Sequence, residues 1–330
     1  MSETLDVVIP VHAPDIERLT RRCLPSLLRN LSGVHAVSVI VTDGSTEQVR
    51  QACVGMSGVR ILHAAELVPA LDARLGSRRC RAALVAGDLA CSLLRRVGRD
   101  VRYTPALARR GWFHQQIAKL AYAELTTATH YLAVDADMIC ARPTTVEELF
   151  DDGRPIGELF ERIPPSQQAW YGWARSLLGL TDGPARALAM PPLVFIAGEV
   201  RAMVDEVLRV APDQWVPDLV GRLAFGGGPG DPGYRWQRLL LMLPWTEYAL
   251  YHTYLHARRS LGETYALESP LRLSGRAVWS DRDLERWVGI EQAAIRERFV
   301  FTLVQPTVDL SAEVLFREFP WLAEVHVSLE

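Results

Sequence analysis

Two aspartates separated by one small residue follow a short apolar run near the middle of the chain. Asp135 and Asp137 come directly after residues 131–134, which read Tyr-Leu-Ala-Val, and Ala136 stands between them. Alternation along an extended strand would point both carboxylates to the same side. Two like charges this close are unfavourable unless a cation or a proton lies between them. The pair therefore predicts a metal site at the end of a buried strand, with a strained surface turn as the alternative.

Lys119 is a second candidate, because it is the only lysine among 36 basic residues. Lysine is a compact point charge and arginine a planar fork, so a lone lysine marks a position where the smaller group is required. Gln115 lies four residues earlier, on the same face of a helix predicted over 113–122. His114 in that helix is more typical of a satisfied polar contact than of a site. Chance placement of the lysine is the alternative.

Alternating strands and helices must position these side chains. Before residue 63 we predict strands over 5–11, 37–42 and 59–62, and helices from Asp15, a plausible N-cap, to Leu31 and from Thr46 to about Val54. This spacing favours a parallel sheet with right-handed crossovers. Ligands bind at the carboxyl ends of such strands, where His12, Asp43 and Asp135 fall. An ordinary turn is the alternative for Asp43.

The middle of the chain is less informative. Residues 64–110 are rich in arginine and alanine, with a helix predicted over 81–96 and a mobile link over 99–110, and they indicate no chemistry. Thr144 or Thr145 is expected to cap a short helix. Residues 153–190 contain Trp170, Tyr171 and Trp173 and read as an irregular wall of the pocket, where aromatic rings either stack on sugars or pack in the core.

The second half contains a further candidate for chemistry. We predict a strand over 191–197, a helix over 199–210, a glycine-rich lid or linker over 226–233, a helix over 245–256, a strand over 299–304 and a last helix from Ser311. Glu247 lies near the start of the helix over 245–256 and is the candidate. His252 and His256 share a face of that helix and are possible metal ligands, although no H-E-x-x-H spacing supports them.

Composition narrows the classes of function. The chain has 330 residues and a net charge of −3, with no basic stripe interleaved with aromatics, so nucleic acid is not an expected partner. Five cysteines lack C-x-x-C spacing, which argues against a zinc knuckle or a disulfide framework. The start has no cationic segment of a signal peptide, and the apolar window over 239–255 is interrupted by Pro244 and Glu247. We expect a soluble cytoplasmic protein without an integral membrane segment.

Taken together, these motifs resemble nucleotide-sugar-dependent glycosyltransferases of the GT-A fold. The segments 8–11, 21–28 and 41–46 are similar to the opening of the large inverting family typified by cellulose and chitin synthases. The stretch from Lys119 to Asp137 resembles the D-x-D region of glycogenin-like enzymes. The segments 111–116 and 246–251 resemble a little-characterised bacterial family with G-W-x-x-Q-Q, D-A-D and S-E-Y-x-x-Y segments. This chain departs from that family at Thr246, usually serine, and at His252, usually glycine.

The resemblance implies a metal-dependent transfer of sugar from a nucleotide-diphosphate sugar to a glycan or a small-molecule (natural-product) acceptor. It implies Mn²⁺ or Mg²⁺ held by Asp135 and Asp137, with Asp137 and the general base Glu247 as the catalytic residues. The donor would be bound by Pro10, Val11, Asp43, Gln115, Lys119, Asp135 and Ala136. A GT-A core over 1–200 and a mostly helical acceptor-side region over 201–330 are expected, packed as one integrated unit.

Three other classes share some of these features. A haloacid-dehalogenase-type phosphatase also has D-x-D after a strand, but on the first strand of its core and followed by Thr or Val where Ile139 stands. A nucleotidyltransferase would have a Gly- and Arg-rich loop after the first strand, and residues 11–14 are not such a loop. A non-catalytic module that binds a sugar or a nucleotide remains an alternative. Inverting and retaining outcomes are both open.

Overall fold

The central feature of the fold is a five-stranded, mostly parallel sheet. The computed structural model describes residues 4–71, 73–188, 191–210, 215–228, 230–231, 233–268 and 300–304. The strands are β1 (Leu5–Val11), β2 (Leu31–Ser32), β3 (Ala36–Val41), β4 (Val59–His63), β5 (His130–Ala133), β6 (Met138–Cys140), β7 (Thr144–Thr145), β8 (Phe150–Asp151), β9 (Arg154–Phe160), β10 (Ala187–Leu188), β11 (Leu193–Ile196), β12 (Ala266–Glu268) and β13 (Phe301–Leu303).

The order of strands in this sheet is β11-β5-β1-β3-β4, and all but β11 run parallel. The chain therefore builds outward from β1 to β3 and β4, then returns to place β5 on the other side of β1. Ligands of open α/β sheets bind beyond the carboxyl ends of the strands at such a reversal. The reversal places the loops after β1 and β5 side by side.

The helices cover both faces of the sheet. They are α1 (Ile16–Arg18), α2 (Leu24–Asn30), α3 (Thr46–Ala52), α4 (Ala64–Leu67), α5 (Arg78–Arg96), α6 (Gly111–Leu125), α7 (Gln168–Leu177), α8 (Ala197–Val210), α9 (Trp215–Phe225), α10 (Tyr234–Leu241), α11 (Glu247–Ala257) and α12 (Leu261–Thr264). A single π-helical turn, Leu19–Cys23, joins α1 to α2. Short 3₁₀ helices occupy Ala13–Asp15, Pro69–Leu71, Ala73–Gly76, Pro105–Arg109, Val146–Leu149 and Pro165–Gln167.

Strand alternation divides the core in two. On β1, Val8 packs into the core that α5, α6, α8, α10 and α11 share, while Val7 and Ile9 pack into the core beneath α2 and α3. All seven residues of β1 are buried. A strand buried on both faces is expected to read as a continuous apolar run, as this one does.

The predicted α/β class with a mostly parallel sheet is confirmed. The first three predicted strands correspond to β1, β3 and β4, and each lies within one residue of its predicted bounds. One prediction is wrong: the described part of residues 153–190 is not irregular, because it contains β9 and α7. Asp15 lies at the predicted N-cap position of α1, although its side chain makes no capping hydrogen bond. The predicted helix from Ser311 lies outside the described residues.

The described parts of residues 201–268 are mainly the helices from α8 to α12, and several pack on the core. Helix α9 packs on α5, and α10 packs on α6. The division at residue 200 stays a prediction. No helix in the described ranges is long and apolar enough to cross a membrane.

Candidate active site

The loops at the carboxyl edge of the sheet are held together by Asp43. This residue follows β3, and its carboxylate accepts a hydrogen bond of 2.8 Å from the backbone N–H of Ala13 in the loop after β1. Its other oxygen accepts from the backbone N–H and the hydroxyl of Ser45. Burial alone would raise the pKa of Asp43, but these donors outweigh it and lower that pKa. Asp43 is therefore an ionised, half-buried residue that joins two strand ends.

His12 lies between that loop and the helix of Gln115. Its Nδ1 is 2.8 Å from Oδ2 of Asp15 and 2.9 Å from Nε2 of Gln115. The hydrogen bond to Asp15 raises the pKa of His12. Asp15 is at the predicted N-cap position of α1, but its contact with His12 at this edge was missed. Its position four residues after β1 was the available signal.

Asp135 and Asp137 do not lie on the strand itself. Strand β5 ends at Ala133, and the pair occupies the turn that leads into β6, closed by a hydrogen bond of 3.0 Å from the backbone N–H of Met138 to the carbonyl of Asp135. Strand alternation was therefore the wrong reason for expecting both carboxylates at this edge. The predicted place, directly after a buried strand, is right.

Lys119 is buried between two carboxylates. Its Nζ lies 2.6 Å from Oδ1 of Asp135 and 2.7 Å from Oε1 of Glu247, and it donates a hydrogen bond of 3.2 Å to the hydroxyl of Tyr248. Burial alone would lower the pKa of Lys119, but the charges of Asp135 and Glu247 hold it well above its ordinary value. The lone lysine is thus a permanent cation with 1 % of its side chain exposed.

Glu247 lies behind Lys119 and has no exposed surface. Its backbone N–H donates a hydrogen bond of 3.2 Å to Oε1 of Gln116, while its Oε2 is buried without a hydrogen-bond partner in the described chain. Burial raises the pKa of Glu247, and Lys119 opposes that rise. In this conformation no part of the Glu247 side chain is exposed, and its role as general base stays a prediction. Sequence reasoning also missed Gln116, whose spacing of three from Lys119 was the signal.

Asp137 remains without a positive partner of its own. Its Oδ1 is buried and has no hydrogen-bond partner within the described residues. Burial and the nearby charge of Asp135 raise the pKa of Asp137 to about 8. A buried carboxylate oxygen that the protein leaves unsatisfied is costly, and native structures usually supply a partner, an ion or water. The turn therefore offers an oxygen ligand that the described residues leave unsatisfied.

These oxygens suit a hard divalent cation. Mg²⁺ is commonly held by one or two carboxylates together with substrate phosphates and water, and Mn²⁺ prefers the same ligand type. No cluster of three or more His, Cys, Asp or Glu side chains suited to a metal occurs among the described residues. Asp135 and Asp137 thus fit a cation that completes its coordination with phosphate.

Neither histidine of α11 belongs to a metal-binding cluster among the described residues. Nδ1 of His252 accepts hydrogen bonds from the backbone N–H of Leu188 at 3.3 Å and from the Tyr171 hydroxyl at 3.1 Å, so the ring is held neutral. Burial lowers the pKa of His252 to about 3. His256 is exposed on the outer end of the same helix. His252, where the family that the sequence resembles usually has glycine, therefore joins α11 to α7 and β10.

Pro10 and Val11 are buried in β1, and Val11 reaches the edge through its carbonyl. That carbonyl accepts hydrogen bonds from the N–H of Thr42 at 2.8 Å and from its hydroxyl at 3.1 Å. Ala136 is buried between the two aspartates. The predicted donor-binding residues thus lie on four neighbouring segments: the ends of β1 and β3, helix α6 and the turn after β5.

Three comparisons place the chain among known proteins. Residues 2–321 match the model of a family described as a family of unknown function, DUF6492. No curated protein matches the chain. Among solved structures, the crystal structure of mouse xyloside xylosyltransferase 1 in its apo form is similar, with 10% sequence identity, a TM-score of 0.42, and coverage of 93% of this chain and 100% of that one. A likeness of this degree carries no argument about activity.

The buried cation should be essential to stability. Replacement of Lys119 by Met leaves two carboxylates facing each other without a cation, and breaking a buried pair in this way costs about 3–5 kcal/mol. Urea denaturation of Lys119→Met should show this loss, and adding Glu247→Gln should recover part of it because one orphaned charge is removed. Equal stabilities of the single and double variants would contradict the assigned pairing.

His252 should make the fold sensitive to acid. Its folded pKa of about 3 lies below the ordinary value of 6.5, so the unfolded chain binds one more proton between these pH values. The free energy of unfolding should therefore fall as the pH drops through this window. Thermal denaturation at a series of pH values should show a smaller fall for His252→Gln than for the wild type. The control His256→Gln, at an exposed position, should follow the wild type; identical curves for all three would refute the buried neutral histidine.

Proposed function

The chain belongs to the family of unknown function DUF6492, and from its candidate active site we propose that it transfers a sugar from a nucleotide-diphosphate sugar to a hydroxyl acceptor. One observation supports this most: the turn at the reversal of a parallel sheet holds Asp135 against a buried lysine and leaves Asp137 with an unsatisfied buried oxygen. Such a turn suits a cation-bound diphosphate at the rim where nucleotides bind in α/β sheets.

The two aspartates have different tasks in this proposal. Asp135 is fixed by Lys119, so its position is set before any ligand arrives. Asp137 would bind the cation directly, and it must lose its proton to do so, because its pKa of about 8 keeps it mostly protonated at neutral pH. The divalent ion, when bound, neutralises the charge of the leaving nucleoside diphosphate. Preorganised ligands of this kind avoid reorganisation during the reaction.

Lys119 and Glu247 are proposed to position the site and not to touch the substrates. The lysine is almost fully buried, so it would act on a donor only by holding Asp135 in place. The side chain of Asp135 is 31 % exposed and would make the contact. Glu247 in turn fixes the lysine from behind. The acceptor's base is therefore left to another group, or is not needed in a retaining transfer.

Asp43, Gln115 and the end of β1 are proposed to form the nucleotide side of the site. Asp43 is half-buried and ionised, and it faces the loop of His12, which Gln115 contacts from α6. An ionised carboxylate at this rim can accept hydrogen bonds from the N–H groups of a base or from ribose hydroxyls. The chemistry of the sugar and of the acceptor is left open by these contacts.

The proposal is tested by ligand-dependent stability. A thermal-shift panel of UDP-, GDP- and dTDP-sugars, with and without manganese, should identify a donor that stabilises the wild type only when the metal is present. A donor present at a hundred times its Kd raises the free energy of unfolding by about 2.7 kcal/mol. Asp137→Asn should fold but lose this shift and the turnover of the same donor, whereas the exposed control Asp151→Asn should keep both. A panel without any shift, or full turnover in excess chelator, would sink the proposal.

Asp43→Ala should weaken nucleotide binding more than it slows transfer. The substitution removes a carboxylate that orders two loops and would contact the nucleotide, and a hydrogen bond to a charged group contributes about 1.5–3 kcal/mol, or roughly tenfold to a hundredfold in affinity. The KM for the donor should rise accordingly while kcat changes less. Isothermal calorimetry with the free nucleotide measures the effect, with exposed Glu47→Ala as the control. Unchanged affinity would remove Asp43 from the nucleotide site.

A further inference from the structure

Helices α5 and α9 pack against each other, and the exposed side of each helix has an unusual composition. They approach so closely that a Cβ on Gly87 would lie 2.5 Å from a methyl group of Val220. We call the exposed residues of these two helices the α5–α9 face. On α5 they are Arg78, Arg79, Arg81, Ala82, Val85, Ala86, Leu89, Leu93 and Arg96, and on α9 they are Trp215, Leu219, Arg222 and Leu223.

Every residue of the α5–α9 face is either apolar or arginine. The outward face of a helix on a soluble domain normally carries charged and polar residues of both signs. The large apolar residues instead repeat every four positions along each helix, at 85, 89 and 93 on α5 and at 215, 219 and 223 on α9. Asp88 and Asp218, the acidic residues of these helices, are only partly exposed. Contiguous apolar stripes of this kind mark an interaction surface.

The charge around this surface is strongly positive. Residues 76–110 contain nine arginines and two aspartates, in a chain whose net charge is −3. Seven of these arginines are exposed, and they are Arg78, Arg79, Arg81, Arg96, Arg99, Arg109 and Arg110. The first three lie at the beginning of α5 and the next two at its end, so the apolar stripe of α5 runs between two basic clusters.

These features select one kind of occupant. A second copy of the chain docked face to face would bring arginines of one copy against those of the other, which is electrostatically unfavourable. On α5, leucines and a valine flanked by arginines match the interface of an anionic bilayer, where apolar side chains enter the headgroup region and arginines meet lipid phosphates. We propose that the α5 part of the α5–α9 face docks the protein on the surface of an anionic lipid bilayer.

The test is cosedimentation of the full chain with vesicles of phosphatidylcholine alone or mixed with phosphatidylglycerol. Binding should require the anionic lipid and weaken with salt, since arginines near such a surface contribute about fivefold in affinity each. Leu89→Glu/Leu93→Glu should weaken binding by about a hundredfold or more, because two leucine side chains that would transfer from water into the bilayer are replaced by charged ones. Arg78→Gln/Arg79→Gln should weaken it by roughly twenty-five-fold.

A matched pair of valines supplies the control. Val97 follows α5 directly and Val54 follows α3, and each is 74% exposed. Val97→Glu should weaken vesicle binding, and Val54→Glu should leave it unchanged. Circular dichroism of each variant verifies that the fold is kept.

Three outcomes would overturn the proposal. They are absence of wild-type binding to anionic vesicles, equal binding to neutral ones, and a concentration-dependent dimer that Leu89→Glu/Leu93→Glu disperses while vesicle binding is absent. The last outcome would assign the face to a second copy of the chain. None of these measurements depends on turnover, so the docking surface and the proposed transferase activity succeed or fail separately.

Discussion

A single buried positive charge joins three distant parts of the chain. Lys119 on α6 contacts Asp135 after β5 and Glu247 at the start of α11, so residues 128 positions apart meet at one nitrogen. A buried lysine is tolerated only when its charge is compensated at close range. The compensation here requires that α6, the turn and α11 all be correctly placed. Formation of the site is thereby linked to completion of the fold.

This arrangement separates two carboxylates that look equivalent in the sequence. The lysine forms an ion pair with Asp135, and no cation in the described chain does the same for Asp137. Asp137 therefore holds a proton near neutral pH, and it is the position where a cation has most to gain by replacing that proton. A stable ion pair and an unsatisfied ligand thus lie two residues apart. The fold pairs one carboxylate and leaves the other with a buried oxygen that the described residues do not satisfy.

Local sequence patterns predicted which residues lie at the carboxyl edge of the sheet better than they predicted which side chains pair there. The apolar runs of β1, β3 and β5 end where polar residues begin, and parallel strands place those ends together, so Asp43, Asp135 and Asp137 were placed correctly. The uniqueness of Lys119 indicated an unusual environment. Its pairing with Glu247 could not be predicted. A contact between residues 128 positions apart depends on how helices pack, and no periodicity in the sequence indicates it. The burial of Glu247 follows from that packing, and its role as a base stays a prediction.

The segment between β4 and β5 contributes residues both to the candidate active site and to the proposed docking face. Helix α6 supplies Gln115, Gln116 and Lys119 to the sheet edge, and α5 supplies its apolar and arginine face to solvent. Burial raises the pKa of Cys80 at the start of α5, and Arg109, at the end of the 3₁₀ helix before α6, lies close enough to offset part of that rise. The basic beginning of α5 and the beginning of α6 are therefore neighbours. If both proposals hold, an anionic surface bound at α5 would lie beside the start of the helix that carries the buried lysine.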